Sequence, residues 1–221
     1  MAVQDFGETF DLTKLHLARD VARELTYELS ALIRPGMKEE DAHILYRDLC
    51  KKYPVEKQWH PPKIRFGPNT ICNFKESSLP YELKEEDIFF IDIGPVIEGH
   101  EADYGETFVL GDQYGHKLIS NAAKRIFEET SHEWSQKKKS GHELYEFAKD
   151  RASKAGFVLN LGSDGHRIGD FPHHLFFRGG LPECKEELIP NAWILEIHLW
   201  MPDKSYGAFF EDILTLDVGL P

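Results

Sequence analysis

The sequence is poor in cysteine, in basic residues and in long apolar runs. Its three cysteines, Cys50, Cys72 and Cys184, are far apart and form no C-x-x-C pair, which excludes a disulfide framework and a cysteine-based zinc finger. No stretch approaches the roughly 20 apolar residues that a membrane-spanning helix needs. The first residues also lack the basic segment and apolar run of a secretory signal. We therefore expect a cytoplasmic protein with no membrane partner.

The scarcity of positive charge limits the classes of partner. The chain has 26 Lys and Arg residues against 38 Asp and Glu residues, so its formal net charge is −12 at pH 7. Such a chain is repelled by nucleic-acid phosphates and by anionic membranes, and we expect neither as a partner. Hydrophobic residues make up 41% of the chain, which is typical of a globular protein and not of a disordered one.

Hydrophobic periodicity predicts four helices, in two pairs. Apolar residues spaced by three or four mark the first three, and a capping-box pattern of Ser140 and Glu143 marks the start of the fourth, which Gly156 ends. The first three predicted helices cover residues 11–33, 39–53 and 116–134.

Short apolar segments predict the strands. They cover residues 88–93, 106–110, 193–200 and 208–216, and a further short strand is predicted near residues 70–72. The order of two helices followed by strands occurs twice, and no linker separates the two halves. The sequence therefore predicts an α+β fold in which two related halves wrap one sheet, as a single domain over residues 1–221.

Two aspartates lie in or after the first of these apolar segments. Asp92 interrupts the run 88–93, and Asp103 follows eleven residues later. Gly94 and Gly99 allow a turn between them, so two adjacent strands would bring both carboxylates onto one face. The simpler alternative is that one aspartate begins a turn while the other faces solvent.

Acidic residues also lie inside the last two predicted strands. Glu196 is in the middle of 193–200, where a buried charge needs a partner. Glu211 and Asp212 interrupt 208–216, and the alternation of strand side chains places one of them inward and the other outward.

A histidine completes the candidate site. His166 lies between two glycines, although a lone histidine is more often structural or on the surface, and the chain has 11 histidines. Burying four carboxylates together costs too much free energy unless cations neutralise them, and two divalent ions would do so. The candidate ligands are Asp92, Asp103, His166, Glu196 and Glu211.

Taken together, the sequence resembles the superfamily of methionine aminopeptidases, Xaa-Pro peptidases and creatinase. The resemblance extends over nearly the whole chain and is sharpest in Ile-Asp-Ile-Gly at 91–94 and Ala-Asp-Tyr-Gly-Glu-Thr-Phe at 102–108. The other matching segments are 32–37, 67–70, 165–169, 195–196 and 210–214. The resemblance implies the pita-bread fold, with two pseudo-repeated helix–helix–strand halves around a curved antiparallel sheet. It also implies a catalytic domain without the N-terminal domain of larger members.

The same resemblance implies metal ligands. Asp103 and Glu211 would bridge two divalent ions, Asp92 would complete one ion, and His166 and Glu196 would complete the other. This mostly oxygen shell suits Mn, Fe, Co or Zn. A water between the ions would attack a polarised carbonyl.

The resemblance further implies catalytic roles for two residues. Glu196 is the candidate proton shuttle. His173 matches a histidine that contacts the substrate or the oxyanion of the tetrahedral intermediate.

Several positions depart from the superfamily pattern. The histidine expected before the first aspartate strand is best matched by Asn73, a candidate substrate-binding residue that donates a hydrogen bond but cannot shuttle a proton. Arg167 replaces a glycine. His174 replaces an acidic residue and is a candidate to hydrogen-bond a metal ligand from behind. His198 would share a strand face with Glu196, as an added metal ligand, as a hydrogen-bond donor to a metal ligand or as a hydrogen-bonded core histidine.

These observations favour a dinuclear metal-dependent hydrolase that cleaves a peptide or amide C–N bond, as an aminopeptidase or an Xaa-Pro peptidase. One alternative is an enzyme of the same fold with creatinase-like hydrolysis or iron-dependent oxygen chemistry. Another is a metal-free binding module, which the complete ligand set disfavours. The expected partner is a small peptide or a small-molecule amide, and the oligomeric state is left open, with a homodimer as one option.

Overall fold

The computed structural model of the chain describes residues 3–173 and 177–216, and all four predicted helices are present there. Helix α1 covers Leu12–Ser30, α2 covers Glu39–Cys50, α3 covers Tyr114–Lys137 and α4 covers Gly141–Lys154. The capping box before α4 is confirmed: the Glu143 amide donates to the Ser140 hydroxyl, and the Ser140 amide donates to the Glu143 carboxylate. In the part of the chain that is described, no helix has both the length and the apolar character to cross a membrane.

The strands of the described residues form two antiparallel sheets. They are β1 (Lys57–Gln58), β2 (Lys63–Phe66), β3 (Asp87–Ile93), β4 (Pro95–Ile97), β5 (His100–Glu101), β6 (Tyr104–Leu110), β7 (Val158–Leu159), β8 (Ile194–Trp200) and β9 (Gly207–Ile213). The small sheet has the order β1-β4-β5, and the main sheet has the order β2-β3-β6-β9-β8-β7.

The strand predicted near residues 70–72 is wrong. A 3₁₀ helix, Gly67–Ile71, occupies this place and follows directly on β2. Gly67 has a φ of 51°, a left-handed conformation that favours glycine, and Pro68 comes next at the start of the helix. The extended chain therefore ends at Phe66.

The main sheet consists of two halves with the same order of elements. In the first half β3 pairs with β6, and in the second β8 pairs with β9. The two halves join where β6 pairs with β9. Two helices precede the paired strands of each half, which confirms the predicted α+β fold of two helix–helix–strand halves around an antiparallel sheet.

All four described helices contact strands of the main sheet, and the strand β9 shows how the two faces of the sheet differ. α3 contacts β8 and β9, and α1 contacts β6. From β9, Phe210 packs on α3 while Asp212 binds Arg19 of α1. Phe209 and Glu211 point to the opposite face, into a cavity. This alternation confirms that adjacent acidic residues of β9 face opposite sides of the sheet.

The Arg19–Asp212 ion pair attaches α1 to β9. The Asp212 side chain is only 6% exposed, and Nε and Nη2 of Arg19 donate to its two carboxylate oxygens, each at 2.7 Å. Two parallel charge-assisted hydrogen bonds of this kind fix the geometry as well as the charge balance.

We expect Arg19→Met to lower the free energy of unfolding by about 3 kcal/mol, because it leaves the Asp212 charge buried without its counter-charge. Chemical denaturation measures this loss. Arg125→Met is the matched control on α3: its guanidinium lies 3.8 Å from Glu129 and is 59% exposed, so the unfolding midpoint should not move. Equal effects of the two substitutions would contradict a structural role for Arg19.

Candidate metal centre

A cavity of about 400 Å³ lies on the face of the main sheet that the helices leave free. Its wall contains every residue predicted for the site that the structure describes. These residues are Asn73, Asp92, Asp103, His166, His173, Glu196, His198 and Glu211. His174, also predicted for the site, lies outside the described residues. The sequence prediction thus selected positions from both halves of the chain that meet around one cavity.

The register of the main sheet aligns three of the carboxylates. Asp92 lies opposite Gly105, Gly105 lies opposite Glu211, and Glu211 lies opposite Glu196. Residues in register across an antiparallel sheet project to the same face, so these side chains form one row across four strands. Gly105 keeps the row open, because a Cβ atom there would lie 2.7 Å from Oε1 of Glu211.

Asp103 precedes β6 and lies between two histidine rings. Nε2 of His166 is 2.7 Å from Oδ2 of Asp103, and Nε2 of His60 is 3.3 Å from Oδ1. His60 is also 3.5 Å from Oδ1 of Asp92. The ligand atoms of His60, Asp92 and Asp103 all lie within 4.8 Å of one another, so this buried group can hold a metal ion.

Sequence reasoning missed His60. It lies in a short segment between β1 and β2, outside any periodic pattern, and only the pairing of Lys63 with Asp92 brings it to the cavity. The sequence offered one indication of a site here: His60 stands between a tryptophan and two prolines, in a stretch whose composition is typical of a loop. Nothing in that stretch indicates which carboxylates the histidine meets.

Glu101 was missed as well. It is 1% exposed, and it accepts hydrogen bonds from both the backbone amide and Nδ1 of His173, at 3.1 and 2.5 Å. Trp59 packs edge-on against three imidazole rings, those of His60, His166 and His173, at centroid distances of 4.3, 4.9 and 5.0 Å. Trp59 therefore supports these three histidines of the cavity wall, and Glu101 fixes one of them, His173.

His198 is bound by the protein on both ring nitrogens. Nε2 donates to the backbone oxygen of Thr70 at 2.7 Å, and Nδ1 lies 3.1 Å from Nδ2 of Asn160 and 3.2 Å from Oγ of Ser163. Burial lowers the pKa of His198 to about 4, so its ring is neutral.

Asn73 and Arg167, two departures from the superfamily pattern, also have protein partners. Oδ1 of Asn73 accepts from the Lys75 amide at 2.9 Å, which closes a turn at the cavity wall. The Arg167 guanidinium is buried and donates to the backbone oxygens of Asp5 and Ala192. Arg167 thus joins the N-terminal segment to the loop before β8.

Burial and mutual repulsion give the carboxyl groups unequal proton affinities. Burial raises the pKa of Glu196 to about 8 and that of Asp92 to about 6, although the neighbouring histidines oppose the shift. Burial, then the Asp103 and Asp92 charges, raise the pKa of Glu211 well above its usual range. For Asp103, hydrogen bonds from His166 and His60 outweigh burial and lower the pKa to about 2.

One oxygen of the cluster is left unsatisfied. Oε1 of Glu211 is buried and has no hydrogen-bond partner among the described residues. A buried acceptor without a partner is costly, and a cation is the partner that a carboxylate oxygen in this position takes. The donor set of carboxylate oxygens and imidazole nitrogens fits a divalent metal ion.

Comparison with known proteins places this geometry in a family. The sequence model of metallopeptidase family M24 matches residues 13–217. An uncharacterized peptidase of Methanocaldococcus jannaschii is 29% identical over 153 residues, which are 65% of this chain and 42% of the relative. The chain therefore spans about two fifths of that relative's length.

Solved structures show the same fold. The prolidase from Pyrococcus horikoshii superimposes with a TM-score of 0.77 at 19% identity, over 96% of this chain and 61% of the prolidase. Methionine aminopeptidase from Thermotoga maritima gives 0.75 at 17% identity, over 97% of this chain and 96% of the enzyme. The predicted pita-bread fold and superfamily are confirmed, and the chain belongs to metallopeptidase family M24.

Proposed function

We propose that the protein is a dinuclear metal-dependent hydrolase that cleaves a peptide or amide C–N bond, as an aminopeptidase or an Xaa-Pro peptidase. The observation that carries this proposal is the row of buried and half-buried carboxylates on one wall of a cavity, with Oε1 of Glu211 unpartnered among the described residues. Family membership supports the same reading. The two halves share one sheet, and we propose that residues 1–221 act as a single catalytic domain.

The ligands are assigned as the superfamily resemblance implies. Asp103 and Glu211 would contact both ions, Asp92 one ion, and His166 and Glu196 the other. When bound, two ions of Mn, Fe, Co or Zn would acidify a water molecule and polarise the carbonyl of the substrate.

Two groups of the chain act on the substrate in this proposal. The Glu196 carboxylate moves a proton from the nucleophilic water to the leaving nitrogen. The His173 ring, fixed through Nδ1 by Glu101, faces the cavity beside His166, with ring centroids 5.2 Å apart. It is the donor to the oxyanion in this proposal; burial lowers the pKa of the His173 ring, and the Glu101 carboxylate opposes that shift and so favours the protonated ring that such donation requires.

The cavity favours a small substrate. Its volume of about 400 Å³ is in the range of pockets that enclose a small molecule or a short peptide. Lys63, Lys75 and Arg178 lie on its wall, and these cations suit a substrate that has a free carboxylate. A dipeptide or tripeptide has both the size and this charge.

One observation favours a second candidate function. Asn73, at the place where the superfamily resemblance implies a histidine, uses its side-chain oxygen to close its own turn. An enzyme of the same fold with creatinase-like or iron-dependent chemistry is therefore the alternative. Xaa-Pro dipeptides and peptides beginning with methionine, assayed with Mn, Fe, Co and Zn in turn, separate the two: activity on neither peptide class favours the alternative.

We expect Asp103→Ala to abolish tight binding of both ions, because Asp103 supplies an oxygen to each. Elemental analysis of protein purified without chelator measures this loss as a fall from about two ions per chain. Asp164→Asn is the matched control, since Asp164 lines the same cavity but is not an assigned ligand. Full metal occupancy in Asp103→Ala would disprove the assignment.

We expect chelation to lower the melting temperature, and the loss to grow as the pH rises from about 5.5 to 8.5. The fold raises the pKa of Glu196 to about 8 and that of Glu211 above its usual range, so protons on these groups stabilise the metal-free fold at acid pH. That stabilisation disappears as the pH passes the raised pKa, whereas bound ions replace it. Thermal melts with EDTA and with added Mn test this. Identical melts near pH 8, after verified metal removal, would contradict it.

We expect His173→Ala to lose about 100- to 1000-fold in turnover while keeping its metal content. The reason is that His173 donates to the oxyanion and is not an assigned ligand. His166→Ala should lose metal instead, and His174→Ala should be close to the unsubstituted protein. If His174→Ala shows the large loss and His173→Ala does not, the assignment is wrong by one residue.

A further inference from the structure

His60 is held with its ring edge toward the carboxylates. The ring is 6% exposed, and Nδ1 donates to the backbone oxygen of Pro61 at 3.0 Å. Space for the ring depends on Gly94: a Cβ atom there would lie 2.1 Å from Cδ2 and 2.3 Å from Nε2 of His60. The backbone carbonyl takes the proton of Nδ1, so Nε2, which faces Asp92 and Asp103, is the nitrogen that can give up its proton and offer a lone pair to a metal ion there.

His60 and His166 have matching environments on opposite sides of Asp103. In each histidine Nδ1 bonds the backbone oxygen of the next residue, at 3.0 Å in His60 and 2.6 Å in His166. In each, Nε2 faces Asp103, with His60 on Oδ1 and His166 on Oδ2. A hydrogen bond on one ring nitrogen that orients the other toward a metal is the usual arrangement of metal-binding histidines.

We propose that Nε2 of His60 is a ligand of the ion that Asp92 and Asp103 hold, so that each of the two ions has one imidazole. The proposal rests on the dinuclear centre proposed above and adds a sixth residue to its five ligands. His60, Asp92 and Asp103 form the half of the site nearest β3, and His166, Glu196 and Asp103 form the other half, while Glu211 contacts both.

A second imidazole changes which ions the centre prefers. Nitrogen ligands favour Fe, Co and Zn over Mn, whose chemistry is closer to that of the oxygen-binding ions. The ion beside His60 should therefore discriminate more strongly against Mn than a site made of carboxylates alone. Competition between Co and Mn for this site reports the effect.

Cobalt-loaded protein provides the direct test, through X-ray absorption fine structure at the Co edge, which counts imidazole ligands per ion. Unsubstituted protein with two ions should show about one imidazole per ion, and His60→Phe with two ions about half of that, because one of two imidazoles is gone. The measurement on the unsubstituted protein needs no variant, so it stands even if His60→Phe folds poorly. His60→Gln is the second variant.

His198→Gln is the matched control. It removes a buried histidine from the same cavity wall, but the protein already occupies both ring nitrogens of His198, so the imidazole count per ion should not change. In His60→Phe and His60→Gln the affinity for one of the two ions should fall by at least about tenfold, measured by calorimetric titration with Co.

The outcomes separate this proposal from the one on which it rests. Two bound ions with half an imidazole per ion in the unsubstituted protein would leave the dinuclear centre intact and overturn the role of His60. Unchanged affinity for both ions in folded His60→Phe and His60→Gln would also overturn it. Fewer than two ions in the unsubstituted protein at saturating Co would overturn the dinuclear centre itself.

Discussion

Four carboxyl groups on one side of a sheet, three of them buried and that of Glu196 half-buried, repel one another, and their neighbours are arranged to offset that repulsion. Asp92, Glu211 and Glu196 lie in register across the strands. Asp103, directly before the first residue of β6, lines the same cavity. In a medium of low dielectric, such a group persists only with protons, imidazolium rings or metal ions as counter-charges. The fold therefore links its own stability to whatever occupies the cavity.

The two sheets have different parts in this arrangement. The main sheet supplies Asp92, Glu196 and Glu211, whose positions follow from strand register. The small sheet and its flanking turns position the nitrogen donors: Trp59 bonds the Gly94 oxygen through its amide and the Ala102 oxygen through Nε1, and its ring packs on three histidines. Glu101, in β5, fixes His173. The carboxylates and the histidines of the cavity are thus positioned mainly by different parts of the structure, the former by a regular sheet and the latter mostly by turns.

The contrast between the regular main sheet and the turns around the small sheet explains which site residues the sequence could predict. Periodicity located the first three helices within a few residues, and a capping-box pattern located the fourth. An acidic residue inside an apolar strand was a local anomaly that identified Asp92, Glu196 and Glu211. His60 and Glu101 gave no such anomaly, because their partners are distant in sequence and are set by strand pairing and turn geometry. The 3₁₀ helix after β2 was mistaken for a strand, since apolar content alone does not report the left-handed conformation of Gly67.

The strand β9 contains two aromatic residues followed by two acidic ones, Phe209, Phe210, Glu211 and Asp212. A shift of its pairing by one residue would exchange the faces yet still present one aromatic ring and one carboxylate to each side. The order of apolar and acidic residues along β9 therefore does not distinguish the observed alignment from the shifted one. Two hydrogen bonds favour the observed alignment over the shifted one. The Thr107 hydroxyl accepts from the Phe209 amide at 2.7 Å and donates to the Phe209 backbone oxygen at 2.8 Å. A single threonine on the neighbouring strand thus helps to decide which of the two adjacent acidic residues of β9 faces the cavity.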